Sequence, residues 1–414
     1  MRLWGRSKGK KYRRCLGIFL SCLSVFLLLA GGQRVSGQSL QIVDAARICA
    51  FLDDGDRRSL LQASRHQAAY LRRIPAKKQI KLADRTFSAA WLLTSIEYFI
   101  DILERESEPR NIAKILSDNY LVFQIAGREN VASHRQMLVT GYFELNAEGS
   151  LRPGRPFLYP IYRPPHDLVC RKAGRATITG RLKGDSLVPY WTRAEIEMQN
   201  LLAGSELVYL NDPLEAFLLQ VQGSGKIRLR DGSYRTVRYA ASNGQPYRSI
   251  GKLLIDEGRL TREQATLPEI EKYLRQHPEE MQRILHYNPR FIFFDWGKDA
   301  PLQGSNKIPL TAWRSVAVDQ EIIAPGTIAF LRTQRPLFDD RGELKGWRPL
   351  ARFVFPQDSG AAIQGPGRVD LFLGDGHDAR LTAGLMREKG TMYILVKKRP
   401  RDNSPRKAPR EQRQ

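Results

Sequence analysis

The chain has 414 residues, 42% of them hydrophobic, enough to bury a substantial core and to build two domains. Its net charge of +23 invites a nucleic-acid reading, but the excess gathers at the ends: residues 1–14 hold +7 and residues 397–414 hold +6, which leaves +10 for the body. A moderately basic body suits any polyanion, an acidic wall polymer included, so no nucleic-acid partner is expected. The basic segment ends at Arg14, and Cys15 to Gln33 then carries no charge over 19 residues. That pattern predicts a secretory signal over 1–37, cut near Val35-Ser36-Gly37, or an uncleaved membrane anchor of nearly spanning length. Either way the chain is exported. Cys15 and Cys22 fall in this segment. Cys49 and Cys170 are left for the body, as a disulfide or as two free thiols. No Cys/His spacing suits zinc, so neither metal nor cofactor is expected.

From Gln38 to about Ser117 the spacing is helical: Leu40, Val43, Ile48 and Leu52 share one face, and Ser88 to Leu103 makes a longer apolar helix. Trp91, Leu92, Ile96, Tyr98 and Phe99 are read as core on it. Tyr120 to Phe123 and Met137 to Tyr142 switch to strand character. Further on, Thr192-Arg193-Ala194-Glu195 is a capping box, Thr261 and Glu263 lead into a helix around Leu267 to Arg275, and Pro278-Glu279-Glu280 starts another that ends near His286. Strands are predicted at Phe217 to Val221, Ile227 to Arg230 and Thr236 to Tyr239, with Asp231-Gly232 as the hairpin turn between the last two. Strand character resumes at Ile308 to Leu310, continues through Ile322-Ile323 and Ile328 to Phe330, and ends at Tyr393 to Val396. The tail 399–414, basic and with Pro400, Pro405 and Pro409, reads as disordered.

Three aspartates mark the C-terminal β region: Asp319 in Val-Asp-Gln-Glu-Ile-Ile-Ala-Pro-Gly-Thr, Asp358 in Asp-Ser-Gly-Ala-Ala-Ile-Gln-Gly, and Asp370 in Arg-Val-Asp-Leu-Phe-Leu-Gly. Strand interiors do not favour Asp. Taken singly, each is explained by hydrogen bonds to its own turn. Taken together they point to carboxylates converging at one mouth of a small barrel. Two other glycine- or acid-bearing stretches carry less. Gln222-Gly223-Ser224-Gly225 lacks the Gly-Lys-Ser/Thr ending of a phosphate loop and the Gly-x-Ser-x-Gly form of a nucleophile elbow. Asp375-Gly376-His377-Asp378 reads as a turn, not as a calcium loop.

These residues resemble the three-aspartate barrel of the membrane-bound lytic murein transglycosylase A family. The likeness extends upstream through Thr140-Gly141-Tyr142-Phe143-Glu144, Tyr159 to Pro165, Gln220-Val221-Gln222-Gly223-Ser224-Gly225, Tyr239 to Tyr247, and Asn288 to Phe294, in the family's order. It implies a mainly β fold with α: a double-psi β-barrel domain with N-terminal helices (38–144 plus 302–398), carrying an inserted second β-barrel-like domain (145–301), with the substrate cleft between them. The implied function is a peptidoglycan lytic transglycosylase, a lyase acting on the glycan strand, found in the cell envelope and working as a monomer. Its location is periplasmic or outer-membrane associated, with a membrane link through the N-terminus. Family members are often lipoproteins, but Phe19 fits poorly as the first residue of a lipid-attachment motif before Cys22.

Such an enzyme uses the C6 hydroxyl of N-acetylmuramic acid as internal nucleophile, so a single carboxyl serves as acid and then base. The resemblance gives that role to Asp370, with Asp319 and Asp358 in support. Asp358 as the acid is the other assignment. Substrate contacts are expected from Thr140, Tyr142, Gln220, Gln222, Ser224, Asn243, Gln245 and Tyr247; for each alone, local turn or strand-edge satisfaction is as good an account. Ser359, Ala361 and Ala362 depart from the family's loop, and Pro366-Gly367 lengthens it. Two rival functions stay open: a wall protein that binds glycan without cutting it, and a hydrolase pairing Asp358 with Asp370, or with Glu144 as partner.

Overall fold

The computed structural model describes residues 39–403, apart from 46–47, 49–50, 128–134, 174–175, 298–300 and 361–362. The N-terminal signal or anchor with Cys22, Cys49, and most of the basic tail therefore lie outside the described residues. Cys170 is exposed. Among the described residues no helix is long and apolar enough to cross a membrane.

Strands dominate, with nine α-helices among the described residues. Six strands close on themselves. Met137–Ser150 pairs with Arg368–Asp375, which pairs with Ser315–Ala317, and that strand with Leu344–Asp358. Ile328–Phe338 and then Arg387–Lys397 follow, and Arg387–Lys397 returns to Met137–Ser150. The Met137–Ser150/Arg368–Asp375 and Ser315–Ala317/Leu344–Asp358 pairs are parallel; the rest are antiparallel. Closure leaves the ring no free edge. The ring's inner face carries Val139, Val316, Leu331, Val354, Leu371 and Ile394, all buried, while Phe330 and Phe353 point the other way, onto Phe51 and Phe99. Outside the ring, Tyr120–Ile125 pairs with Arg387–Lys397 and with Leu40–Val43.

Met137–Ser150 runs 14 residues because it serves two sheets. Residues 138–144 belong to the ring, whereas 145–150 pair with Ser224–Leu229 and Glu206–Leu210 of a second sheet. That sheet continues through Tyr234–Ser242 to Ile292–Trp296 on one side and Tyr159–Tyr162 on the other. One strand thus fixes the ring and the second sheet to each other in register.

Several local features follow from the residues that were singled out. Thr192 and Glu195 make the capping box on the helix Arg193–Met198. The turn at Asp231-Gly232 joins Ser224–Leu229 to Tyr234–Ser242, with Gly232 at φ +82°. Pro278–His286 is the expected helix.

Five local expectations need correction. The N-terminal region is not helical throughout: Leu40–Val43, Gln79–Leu82 and Arg85–Ser88 are strands between and before the helices Arg57–Arg73 and Ala89–Arg105. Phe217 to Val221 is not a strand but the second half of the helix Pro213–Gln222. Asp212 caps that helix by accepting from the Leu214 N–H at 2.8 Å, Pro213 opens it, and Gly223, in the left-handed region, ends it. A short apolar run has no periodicity to separate helix from buried strand, and here the caps decide. Ile322-Ile323 is a turn on the Asp319 carbonyl, and Ile308 to Leu310 makes only an isolated bridge between Gln303 and Pro309. Asp375 to Asp378, read as a turn, starts the helix Gly376–Leu385.

Candidate active site

A cleft of about 460 Å³ opens where the ring meets the helix Pro213–Gln222 and the loops of the second sheet. The ring contributes Gly141, Tyr142, Ala317, Asp358, Arg368 and Asp370; the other wall includes Arg193, Gln220, Gln222, Tyr247, Asn288 and Arg290.

Asp370 and Thr140 sit side by side because their strands are parallel neighbours in direct register. The Thr140 hydroxyl donates to Asp370 Oδ1. Arg368, two residues before Asp370, lies on the same face of its strand. Its Nε donates to Oδ1 at 2.9 Å and its Nη2 to Oδ2 at 3.1 Å, a two-pronged ion pair in the cleft lining.

Asp358 ends the strand Leu344–Asp358, which the short strand Ser315–Ala317 separates from the strand of Asp370. Its Oδ1 accepts from the backbone N–H groups of Ser305 and Ser359, both at 2.8 Å, and its Oδ2 from the Tyr142 hydroxyl at 2.9 Å. Burial pushes the Asp358 carboxyl up from its ordinary range, against the pull of these donors. The Tyr142 hydroxyl is driven well above its usual value by burial and by the negative charge of Asp358. Its ring leans on Phe372 at 5.3 Å between centroids.

A stability prediction follows from the Asp358 shift. A carboxyl that titrates higher when folded contributes fully below the unfolded value, about pH 4, and loses that contribution as pH rises through the folded value. Asp358→Asn cannot ionise, its Oδ1 keeps the two backbone donors, and its Nδ2 can donate to the Tyr142 oxygen. The variant is expected to melt higher than the parent near neutral pH, with the gap closing toward pH 4. Melting curves over that range check it; a constant gap, or one that widens in acid, would refute the assignment.

Asp319 does not line the cleft. Its Oδ1 accepts from the Glu321 N–H at 3.0 Å and its Oδ2 from the Gly365 N–H at 2.8 Å. It therefore ties down the loop that leads into Arg368 and Asp370. Glu144, raised by burial, faces Lys226 at 3.3 Å and lies outside the cleft lining.

The polar residues divide in the same way. Tyr142, Gln220, Gln222 and Tyr247 line the cleft, and Tyr247 keeps 42% of its surface exposed. Gln220 is buried, with its Oε1 accepting from Arg193 Nη2 at 2.8 Å and from the Ile292 N–H at 3.1 Å. Ser224, Asn243 and Gln245 are not among the lining residues; Ser224 opens the strand Ser224–Leu229. Asn243 is 1% exposed, with Nδ2 donating to the carbonyls of Trp191 and Pro289 and Oδ1 accepting from the Phe291 and Gln245 N–H groups. Gln245 donates to the Tyr190 carbonyl. Asn243→Leu strands those four backbone groups and is expected to cost about 3 kcal/mol in urea unfolding; a loss under about 1 kcal/mol would show that water replaces the amide.

Arg368, Arg193 and Arg290 were not foreseen. Arg368 was legible, since an Arg two residues from an Asp in a strand must share its face. Arg193 was seen only as part of a capping box, yet it is 2% exposed, its guanidinium bonded to the Asn288 and Arg290 carbonyls, Gln220 and Glu197. Among the described residues no group of three or more His, Cys, Asp or Glu is placed to hold a metal ion.

The arrangement is thus a cleft with two neighbouring carboxyls, one fixed by backbone donors and one by side chains. Comparison with known proteins finds matches in both halves of the chain. The MltA specific insert domain matches residues 138–295, and the 3D domain matches residues 314–396. The chain is similar to membrane-bound lytic murein transglycosylase A of Escherichia coli K12, 34% identical over 275 residues, 66% of this chain and 68% of that protein. Among solved structures it resembles a membrane-bound lytic murein transglycosylase from Agrobacterium tumefaciens, at TM-score 0.68 and 28% identity, covering 87% of this chain and 98% of that one. It also resembles E. coli MltA with bound chitohexaose, at TM-score 0.67 and 27% identity, covering 87% of this chain and 95% of that one.

Proposed function

The chain belongs to the membrane-bound lytic murein transglycosylase A family, and from that premise we propose how its cleft cuts peptidoglycan. Asp370 is the acid and then the base. Its neutral carboxyl protonates the glycosidic oxygen between N-acetylmuramic acid and N-acetylglucosamine, and the C1–O bond breaks. The C6 hydroxyl of the same muramyl residue then bonds to C1, and its proton returns to Asp370. The carboxyl ends as it began, water takes no part, and the product carries a 1,6-anhydro ring. The high effective molarity of an internal hydroxyl makes a second carboxylate unnecessary.

The choice of Asp370 over Asp358 rests on what holds each group. Asp358 is an acceptor for two backbone N–H groups, which cannot swing away. Asp370 is held by the side chains of Thr140 and Arg368, which can. Asp358 and Tyr142 then form the fixed wall beside it, and Asp319 holds the loop that presents it. Tyr142 and Tyr247 supply faces for sugar rings, and Gln220 and Gln222 supply neutral hydrogen-bonding groups, with Thr140 on the acid itself. Ser224, Asn243 and Gln245 act from outside the lining, by shaping the wall.

The closed ring of six strands, with its two parallel pairs, supports reading it as a double-psi barrel (38–144 plus 302–398), with 145–301 as the insertion across the cleft. The protein works in the cell envelope. Export through the N-terminal segment, membrane or outer-membrane attachment and action as a monomer complete the proposal. The observation that carries it is that Asp370, in the cleft lining, is held by the side chains of Thr140 and Arg368 and, among the described residues, by no backbone donor. Purified sacculi incubated with the protein test it: soluble muropeptides are expected. Binding to the sacculus with no release would leave a glycan-binding protein in place of an enzyme.

A further inference from the structure

Among the described residues three arginines line the cleft, and their donors are committed differently. Arg193 is buried, with its guanidinium spent on carbonyls, Gln220 and Glu197. Arg290 Nη1 donates to the Gln245 carbonyl at 3.2 Å. Arg368 alone of the three directs its fork at a cleft carboxylate: Nε and Nη2 to Asp370, with Nη2 also 3.4 Å from the Thr140 hydroxyl. Its side chain stays 31% exposed. The remaining charged and titratable groups lining the cleft are Asp358, Tyr142 and Tyr247.

This pairing is at odds with proton donation. A two-pronged guanidinium contact favours the charged carboxylate, whereas the acid must be neutral when it meets the glycosidic oxygen. Something must therefore take the fork from Asp370 as substrate binds. The substrate under the proposed function brings a fitting group, because each muramyl residue carries an acidic side arm: a lactyl carboxylate when the stem peptide is absent, peptide carboxylates when it is present. Backbone donors cannot make this exchange. A planar guanidinium matches a carboxylate from either source.

We propose that Arg368 is a carboxylate-binding site for the muramyl side arm, and that occupation of its fork by that carboxylate releases Asp370 to act as the acid. Arg368 is then a positioning and specificity residue. The released Asp370 takes its proton from solvent before water is excluded, and Thr140 stays hydrogen-bonded to it throughout. This inference rests on the function proposed above but can fail without it.

The experiment compares three glycans: strands stripped of stem peptides, the same strands with every lactyl carboxylate converted to the N-methylamide, and peptide-bearing strands. Initial rates of anhydro-muramyl formation are measured for the full-length protein and for Arg368→Gln and Arg368→Lys. The parent is expected to prefer a carboxylate-bearing strand over the amide by about tenfold or more in kcat/KM, the usual worth of a charge-assisted contact. Arg368→Gln is expected to bring that ratio close to one, and Arg368→Lys to keep part of it. Preference for the stripped strand identifies the lactyl group; preference for the peptide-bearing strand alone identifies the peptide.

Each ratio is taken within one variant, so a partly unfolded variant lowers both rates and leaves the ratio intact. For a variant too slow to assay, calorimetric affinities for the stripped and amidated strands give the same comparison. Equal rates on all three glycans by the parent, or an unchanged ratio in Arg368→Gln, would overturn the inference. Anhydro products in those same experiments would leave the proposed function standing.

Discussion

Asp370→Asn is expected to lower the release of anhydro-muramyl products by at least about a thousandfold, because one group carries both proton transfers and each is worth about two to four orders of magnitude. The amide keeps the shape of the side chain. Its oxygen can still accept from the Thr140 hydroxyl or from Arg368. The fold and binding to the sacculus should therefore survive, which separates a catalytic loss from a structural one. Asp358→Asn provides the contrast. Its carboxyl is anchored by the N–H groups of Ser305 and Ser359, so its replacement should reduce the rate much less. A larger loss at Asp358 than at Asp370 would transfer the acid role to Asp358.

The second large effect concerns stability and lies away from the cleft. Arg314 is fully buried; its guanidinium bonds Asp53 through Nη1 at 2.6 Å and Nη2 at 2.8 Å, and also reaches Ser59 and the carbonyls of Asp56 and Phe353. Asp53 accepts in turn from the Phe353 N–H. This knot fastens the start of the helix Arg57–Arg73 to the strand that leads to Asp319. Asp53→Ala leaves a buried cation without its partner and is expected to cost about 3–5 kcal/mol in urea unfolding. Adding Arg314→Met to Asp53→Ala removes the stranded charge and should recover a good part of that loss. A single variant as stable as the parent would show that water reaches the guanidinium.

The legible parts of the sequence were those where chemistry is local. The capping box at Thr192, the Asp231-Gly232 hairpin and the helix after Pro278 each depend on a few adjacent residues, and each formed as the residues dictate. Phe217 to Val221 was misread because an apolar run of that length fits a buried helix as well as a buried strand. The distinction lay at its ends, in Asp212, Pro213 and Gly223. The same limit applies to the polar residues. Nothing near Asn243 in the sequence distinguishes a residue that feels for substrate from one that satisfies four backbone groups, since its partners Trp191 and Pro289 are 52 and 46 positions away. Asp358 accepts from the Ser359 N–H, as turn aspartates commonly do, and still lines the cleft, whereas Asp319, bonded to the Glu321 N–H, does not. The encounter of Asp358 with Tyr142 spans 216 positions and needed the fold to reveal it.

The central claim is that the muramyl hydroxyl, and not water, closes on C1 with Asp370 as the only acid and base. Mass spectrometry of the sugars released from purified peptidoglycan in ¹⁸O-labelled water tests it most directly. The account predicts muramyl ends one water lighter than the hydrolysis product, with no label incorporated, and at least about a thousandfold less of them from Asp370→Asn. Labelled reducing ends would contradict it and would mean a hydrolase with a second carboxylate.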